Sequence, residues 1–156
     1  MSIPTMIAAT ALAIAGVTVS PTTEAAAENF IGRQMPKLAS DRMTPEALWA
    51  MGRIGTVAPN AAGTHAVYSV SYYSVPENKS HSVLYLLDIK TKKSLQLTTS
   101  TKSESGAVWV RFGNEERIVY LSSEGGSSQL WSMKSDGTDR KQISHENDDV
   151  IDFLFA

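Results

Sequence analysis

The sequence predicts an all-β chain that holds the first two blades and the start of a third blade of a β-propeller, preceded by a short helix. One strand pattern occurs twice with an offset of 46 positions: residues 84–87 (LYLL) match 130–133 (LWSM), and 96–98 (QLT) match 142–144 (QIS). The same offset carries Trp109 onto Phe155. A fixed period in the forties, with four short strands per unit, is typical of propeller blades.

Composition narrows the classes of function. Hydrophobic residues make up 42% of the 156 residues, which is enough for a core, and the net charge of −2 argues against a nucleic-acid-binding surface. The chain has no cysteine. This excludes disulfides, cysteine-ligated zinc, a thiol nucleophile and an N-terminal lipid-bearing cysteine.

Residues 1–27 read as a cleaved secretory signal peptide. Residues 6–19 are apolar or small, and Ala25-Ala26-Ala27 supplies a small-x-small cleavage site before Glu28. The run is too short to span a bilayer, which takes about 20 residues. The amino-terminal part lacks Lys and Arg, so a mis-assigned start codon or a buried apolar helix remains the alternative. Residues 28–43 then read as an N-terminal arm without strong structure.

Residues 44–53 are predicted to form a short helix. Thr44 suits the N-cap, Pro45 suits the first helical position, and Glu46 places negative charge at the positive end of the helix dipole. The helix is expected to end near Gly52 or Gly55. We expect Trp49 and Met51 to pack against the sheet rather than form a ligand site.

Residues 54–156 alternate in the manner of strands and form the partial propeller. The predicted strands are 65–73, 83–89 and 95–98 in the first unit, 107–112, 117–122, 129–133 and 140–144 in the second, and 150–155 at the start of a third. Turns are expected at 113–114, 125–126 and 135–138, where glycine supplies positive φ. The middle hairpin of the first unit is six positions longer than that of the second. Trp109 and Trp131 are expected to be buried between the layers.

Two stretches carry a resemblance to known families. Residues 117–144 (RIVYLSSEGGSSQLWSMKSDGTDRKQIS) resemble the WD40-like repeat shared by periplasmic TolB-type propellers and the prolyl oligopeptidase family. Residues 44–54 (TPEALWAMGRI) resemble the start of the exported serine peptidases of the prolyl oligopeptidase family, both the dipeptidyl peptidase V-like and the acylaminoacyl-peptidase-like members. The resemblance covers residues 41–156. The usual Ser-Pro-Asp-Gly turn is replaced by residues 58–61 (APNA) and 111–114 (RFGN).

The resemblance implies a seven- or eight-bladed propeller followed by a catalytic α/β-hydrolase domain, which is absent here. No G-x-S-x-G elbow occurs, and residues 125–129 (GGSSQ) read as a hairpin turn. His65, His81 and His145 read as solvated loop residues. Glu115-Glu116, which resembles the glutamate pair that holds the substrate amine in dipeptidyl peptidases, reads as a solvated turn. Residues 146–149 (ENDD) read as an exposed connection rather than a calcium loop, and 78–80 (NKS) as a chance glycosylation pattern.

No catalytic, cofactor-binding or metal-binding residue is therefore expected, nor any cofactor. The favoured function is the N-terminal propeller part of a periplasmic or secreted serine peptidase. That peptidase would release dipeptides or short peptides from oligopeptides, and its propeller would gate substrate access. The alternative is a TolB-like propeller that binds a protein or peptide without catalysis. Taken alone, the chain is expected to be inactive, and poorly folded because its blades expose apolar faces.

Overall fold

The computed structural model describes residues 31–34 and 40–155 and is mostly β. In this part of the chain one helix, α1 (Pro45–Ala50), precedes eight strands. The strands are β1 (Arg53–Pro59), β2 (His65–Ser74), β3 (Lys79–Asp88), β4 (Ser94–Gln96), β5 (Glu104–Phe112), β6 (Glu115–Ser122), β7 (Gln129–Met133) and β8 (Lys141–Gln142). β1–β4 form the first sheet and β5–β8 the second, each antiparallel and in chain order. The prediction of an all-β chain with a short leading helix is confirmed.

Helix α1 begins as predicted and ends earlier than predicted. The Thr44 side-chain oxygen accepts a hydrogen bond from the Ala47 N–H at 3.2 Å, and Pro45 follows it. The helix ends at Ala50 because the chain turns at once into β1. Gly52 is needed there for space: a Cβ on it would lie 2.7 Å from a Val70 methyl carbon. Its role is therefore close approach of the backbone to the first sheet.

The predicted repeat is present in the hydrogen bonds as well as in the strands. Leu84 N–H donates to the Thr98 hydroxyl at 2.9 Å, and Leu130 N–H donates to the Ser144 hydroxyl at 2.8 Å. The carbonyls of the same two leucines accept from Leu97 and Ile143, both at 2.8 Å. Each partner lies 46 positions from its counterpart, so the sequence offset is a structural equivalence.

The long hairpin of the first unit is also present. β2 and β3 pair from His65↔Asp88 out to Ser74↔Lys79, whereas pairing of β6 with β7 stops at Ser122↔Gln129. The extra rungs carry the β2–β3 hairpin beyond the end of its own sheet. Both sheets also contain an irregularity in their first strand, between Ile54 and Val57 in β1 and between Ser105 and Val108 in β5.

The main core lies between the two sheets. Its fully buried members come from β2, β3, β5, β6 and β7: Val67, Leu84, Ala107, Ile118, Tyr120 and Met133. Trp109 and Trp131 pack against this core, and the Trp109 indole N–H donates to the Ala58 carbonyl of the first sheet at 3.0 Å. Both tryptophans thus pack as expected, although each is half-buried rather than buried.

The predicted strand at 150–155 is wrong. Residues 150–155 have no strand conformation, although Val150 N–H donates to the Ser128 carbonyl at 2.8 Å. Phe155 packs edge-on to Phe112 of β5, with ring centroids 6.5 Å apart, while Ile151 and Leu154 are exposed. A strand needs a partner ladder, and no other strand of the described part pairs with this segment.

Candidate functional site

A cavity of about 780 Å³ lies between α1, residues 33–34 and the face of the first sheet that points away from the second sheet. Tyr68, Tyr72 and Tyr85 line it, together with Arg33 and Met51. We call it the tyrosine cavity. Its floor is a small core of its own, formed by Ile31, Val70, Tyr72 and Val83.

The tyrosines form a bonded network. The rings of Tyr68 and Tyr85 stack with centroids 5.5 Å apart, and the Tyr72 and Tyr85 hydroxyls are 3.0 Å apart. The Tyr68 hydroxyl donates to Ser94 Oγ at 3.0 Å. Burial, reinforced by the Tyr72 hydroxyl, raises the pKa of Tyr85 above its ordinary value. The cavity therefore offers ring faces and hydroxyl groups, which suit binding of an apolar or peptide group.

A second cavity, of about 420 Å³, lies beside the extended β2–β3 hairpin. Trp49, Tyr73, Val75 and Lys79 contribute to its lining. The Arg53 guanidinium carbon lies 4.6 Å from the Trp49 ring centroid and 4.8 Å from that of Tyr73. We call Trp49, Arg53, Tyr73 and this cavity the arginine corner. Trp49 thus packs against the first sheet, as expected, yet it remains 40% exposed and also lines the cavity.

A charged cluster with buried Glu104 at its centre lies on the face of the second sheet that meets the first. The Arg140 guanidinium donates to Glu104 at 2.6 Å, to Glu124 at 2.8 Å and to the Tyr120 hydroxyl at 2.9 Å. Glu104 is fully buried, and burial raises the pKa of its carboxyl while Arg140 opposes that rise. Among the residues that the structure describes, Glu104 Oε2 and the indole nitrogen of Trp131 have no hydrogen-bond partner. We interpret this cluster as structural because it lies within the interface between the sheets.

Ser127 and the glutamate pair lie where they have structural roles. Ser127 is in the β6–β7 hairpin, next to Gly126 with φ +112°, as predicted. Glu115 and Glu116 belong to β6 rather than to the turn. Glu115 pairs with Arg117 at 3.2 Å, and half-buried Glu116 accepts the Ala61 N–H of the first sheet at 3.0 Å. The reading of this pair as a solvated turn is therefore wrong for Glu116.

The prediction of solvated histidines is wrong for His81. His81 is buried on β3, and its ring nitrogens lie 3.2 Å from the Ile31 carbonyl and 2.9 Å from the Ser100 carbonyl. Segments distant in the sequence close over it, which a local pattern does not reveal. His65 is half-buried at the start of β2, and His145 is exposed in the segment after β8.

Gln129 has a structural role that the sequence did not predict. It is buried, and its side-chain amide donates to the carbonyls of Glu146 and Asp148 while its oxygen accepts the Glu146 N–H. It thereby ties the acidic stretch 146–149 to the second sheet, with that stretch exposed as predicted.

Within residues 31–34 and 40–155, no group of three or more His, Asp or Glu side chains is placed to hold a metal ion.

The described residues include no helix with the length and apolar character needed to cross a membrane. Residues 1–27, where the signal peptide is predicted, lie outside the described part of the chain.

Comparison with known proteins points to one group. The chain is 33% identical over 117 residues to dipeptidyl-peptidase 5 of Porphyromonas endodontalis, which covers 75% of this chain and 17% of that protein. It is 32% identical over 90 residues to dipeptidyl-peptidase 5 of Porphyromonas gingivalis, or 58% of this chain and 13% of that protein.

This chain is a relative of the dipeptidyl-peptidase 5 proteins. Dipeptidyl-peptidase 5 of Aspergillus fumigatus is similar too, at 34% identity over 93 residues, or 57% of this chain and 12% of that protein. No protein-family model matches. The chain thus spans less than a fifth of the length of these relatives, and the resemblance expected from the sequence is confirmed.

Proposed function

We propose that the chain is the N-terminal propeller region of an exported serine peptidase that releases dipeptides or short peptides from oligopeptides. The similarity to dipeptidyl-peptidase 5 carries this proposal. The whole protein would pair these sheets with a C-terminal hydrolase domain that holds the nucleophile.

The packing of the two sheets supports the propeller part of the proposal. The sheets have the same strand order and repeat the same hydrogen bonds 46 residues apart. Their first strands, β1 and β5, lie beside each other, and a shared core fills the space between the sheets. Consecutive blades around a central axis pack in this way. In the proposed ring, these blades form part of the wall that gates access of oligopeptides.

The proposal is tested by the coding DNA beyond codon 156 and by activity. We expect further repeats and a G-x-S-x-G elbow in the same frame. The product of that frame should cleave dipeptidyl chromogenic substrates and be blocked by a serine-directed inhibitor, whereas the 156-residue chain should not cleave them. A stop codon directly after a completed propeller, with no peptidase activity, would favour a TolB-like binding protein instead.

Export is the second part of the proposal. We expect the mature protein to begin at Glu28, because Ala25 and Ala27 provide the small side chains that signal peptidases accept. N-terminal sequencing of the exported fraction checks this, and Ala27→Glu should leave the leader uncleaved. An intact Met1 on the exported wild-type protein would contradict the signal-peptide assignment.

A further inference from the structure

The Arg53 guanidinium of the arginine corner is exposed and makes no ion pair with any carboxylate in the described part of the chain. The guanidinium lies over the rings of Trp49 and Tyr73. Ring contacts restrict the side chain without using its N–H donors. A guanidinium held in this way is pre-organised for a carboxylate, which it binds through two parallel hydrogen bonds.

The position of Arg53 depends on the extended hairpin. Arg53 pairs with Ser71, one residue beyond the point at which the equivalent pairing ends in the second sheet, and Tyr73 lies on the extra rungs. The Trp49 and Tyr73 rings meet edge to face with centroids 5.5 Å apart. The second sheet lacks these rungs, so the corner is a feature of the first unit alone among the described residues.

The cavity shares the Trp49 and Tyr73 rings with Arg53, although Arg53 itself is not one of its lining residues, and it supplies the remaining surface for a ligand. Its volume of about 420 Å³ falls in the range of known ligand pockets, roughly 300–1,000 Å³. Trp49, Tyr73 and Val75, which is 61% exposed, provide apolar surface, and Lys79 provides a second positive charge. The corner therefore favours a ligand that combines an anionic group with an apolar one.

We propose that the arginine corner binds the free C-terminal carboxylate of an oligopeptide, with Arg53 holding the carboxylate and the cavity holding an apolar side chain. This inference rests on the proposed function, which makes oligopeptides the substrates. Every oligopeptide carries a C-terminal carboxylate whatever its sequence. A subsite for that group would thus serve a peptidase that acts on many sequences.

The test is fluorescence anisotropy with an N-terminally labelled peptide, Gly-Ser-Gly-Ala-Leu, prepared as the free acid and as the amide. The full chain should bind the acid at least about tenfold more tightly than the amide, because the amide removes the charge-assisted bonds. Arg53→Gln should abolish this preference. Arg111→Gln, which removes an exposed arginine of the second sheet, should retain it. Equal binding of acid and amide by the wild-type chain, which requires no variant to fold, would overturn the proposal.

A third peptide separates the two sources of a carboxylate. An amidated peptide with an internal aspartate should bind as weakly as the plain amide. If it binds as tightly as the free acid, the corner recognises acidic side chains, and the assignment to the C-terminus is wrong. Because binding is measured without turnover, a lack of peptidase activity in the product of the longer reading frame would overturn the proposed function while leaving an acid-over-amide preference intact.

Discussion

Replacing Arg140 with methionine is expected to lower the free energy of unfolding by about 3 kcal/mol. The substitution leaves the fully buried Glu104 carboxylate without the guanidinium that contacts it at 2.6 Å. Removing one partner of a buried ion pair typically costs about 3–5 kcal/mol, because the other charge stays desolvated. Arg140 is itself 25% exposed, so the lower end of that range applies. Because the 156-residue chain taken alone is expected to be poorly folded, urea denaturation is carried out on the product of the longer reading frame, and tryptophan fluorescence measures the change.

Lys141→Met is the matched control for this prediction. Lys141 pairs with Asp139 at 3.0 Å, but its side chain is 64% exposed, and exposed pairs contribute about 0–1 kcal/mol. Adding Glu104→Gln to the Arg140→Met variant should recover part of the loss, because the unpaired charge is removed. Equal effects of Arg140→Met and Lys141→Met would show that the cluster is solvated rather than buried.

The loss in the Arg140→Met variant should grow with pH. Burial raises the pKa of the Glu104 carboxyl above its ordinary value of 4.5, and Arg140 opposes that rise. In the variant the pKa rises further, so the folded state binds the proton more tightly than the unfolded chain does. The contribution of Glu104 to stability is then fully present below pH 4.5 and is lost as the pH rises through its folded-state pKa. The difference from wild type should thus be larger at about pH 8 than at about pH 5.

Leu84→Ala is expected to lower the free energy of unfolding by about 2–5 kcal/mol. Leu84 is fully buried in the core between the sheets, and truncation leaves a cavity lined by residues of both sheets. The backbone bond from Leu84 N–H to Thr98 is retained in the variant, so the change reports side-chain packing. The same urea denaturation measures it.

Leu95→Ala is the control for the core prediction. Leu95 is on β4 of the same sheet but is 56% exposed, so its truncation should change stability by no more than about 0.5 kcal/mol. If Leu84→Ala costs less than about 1 kcal/mol, the two sheets are not closely packed in solution, and the propeller arrangement loses its main support.

The sequence predicted the features that depend on local pattern. β7 has the predicted limits of 129–133, and the 46-residue offset reappears bond for bond. β1 was missed because Gly55 and Pro59 are unfavourable in most strands, although they are tolerated at the edge position that β1 occupies. The prediction of a strand at 150–155 was wrong. Apolar and polar residues alternate there as in a strand, but no partner strand pairs with the segment.

The candidate site was less predictable because its contacts are distant in sequence. Glu104 and Arg140 are 36 residues apart and belong to no motif, and Arg53 becomes notable only when Trp49 and Tyr73 flank it. The tyrosine cavity did leave a signal. Tyr68 and Tyr72 are four residues apart on one strand and therefore share a face of the sheet. Tyr85, on the neighbouring strand, is the cross-strand partner of Tyr68.

The short last strands have a consequence for association between molecules. β4 has three residues and β8 has two. Just beyond each of these strands, a side-chain hydroxyl accepts a hydrogen bond from the neighbouring strand: Thr98 accepts from Leu84 N–H, and Ser144 accepts from Leu130 N–H. A side chain thus ends each ladder where a longer strand would have presented further backbone groups. Little open ladder remains at these outer edges for a foreign strand to extend, so each unit limits edge-to-edge aggregation by ending its own sheet early.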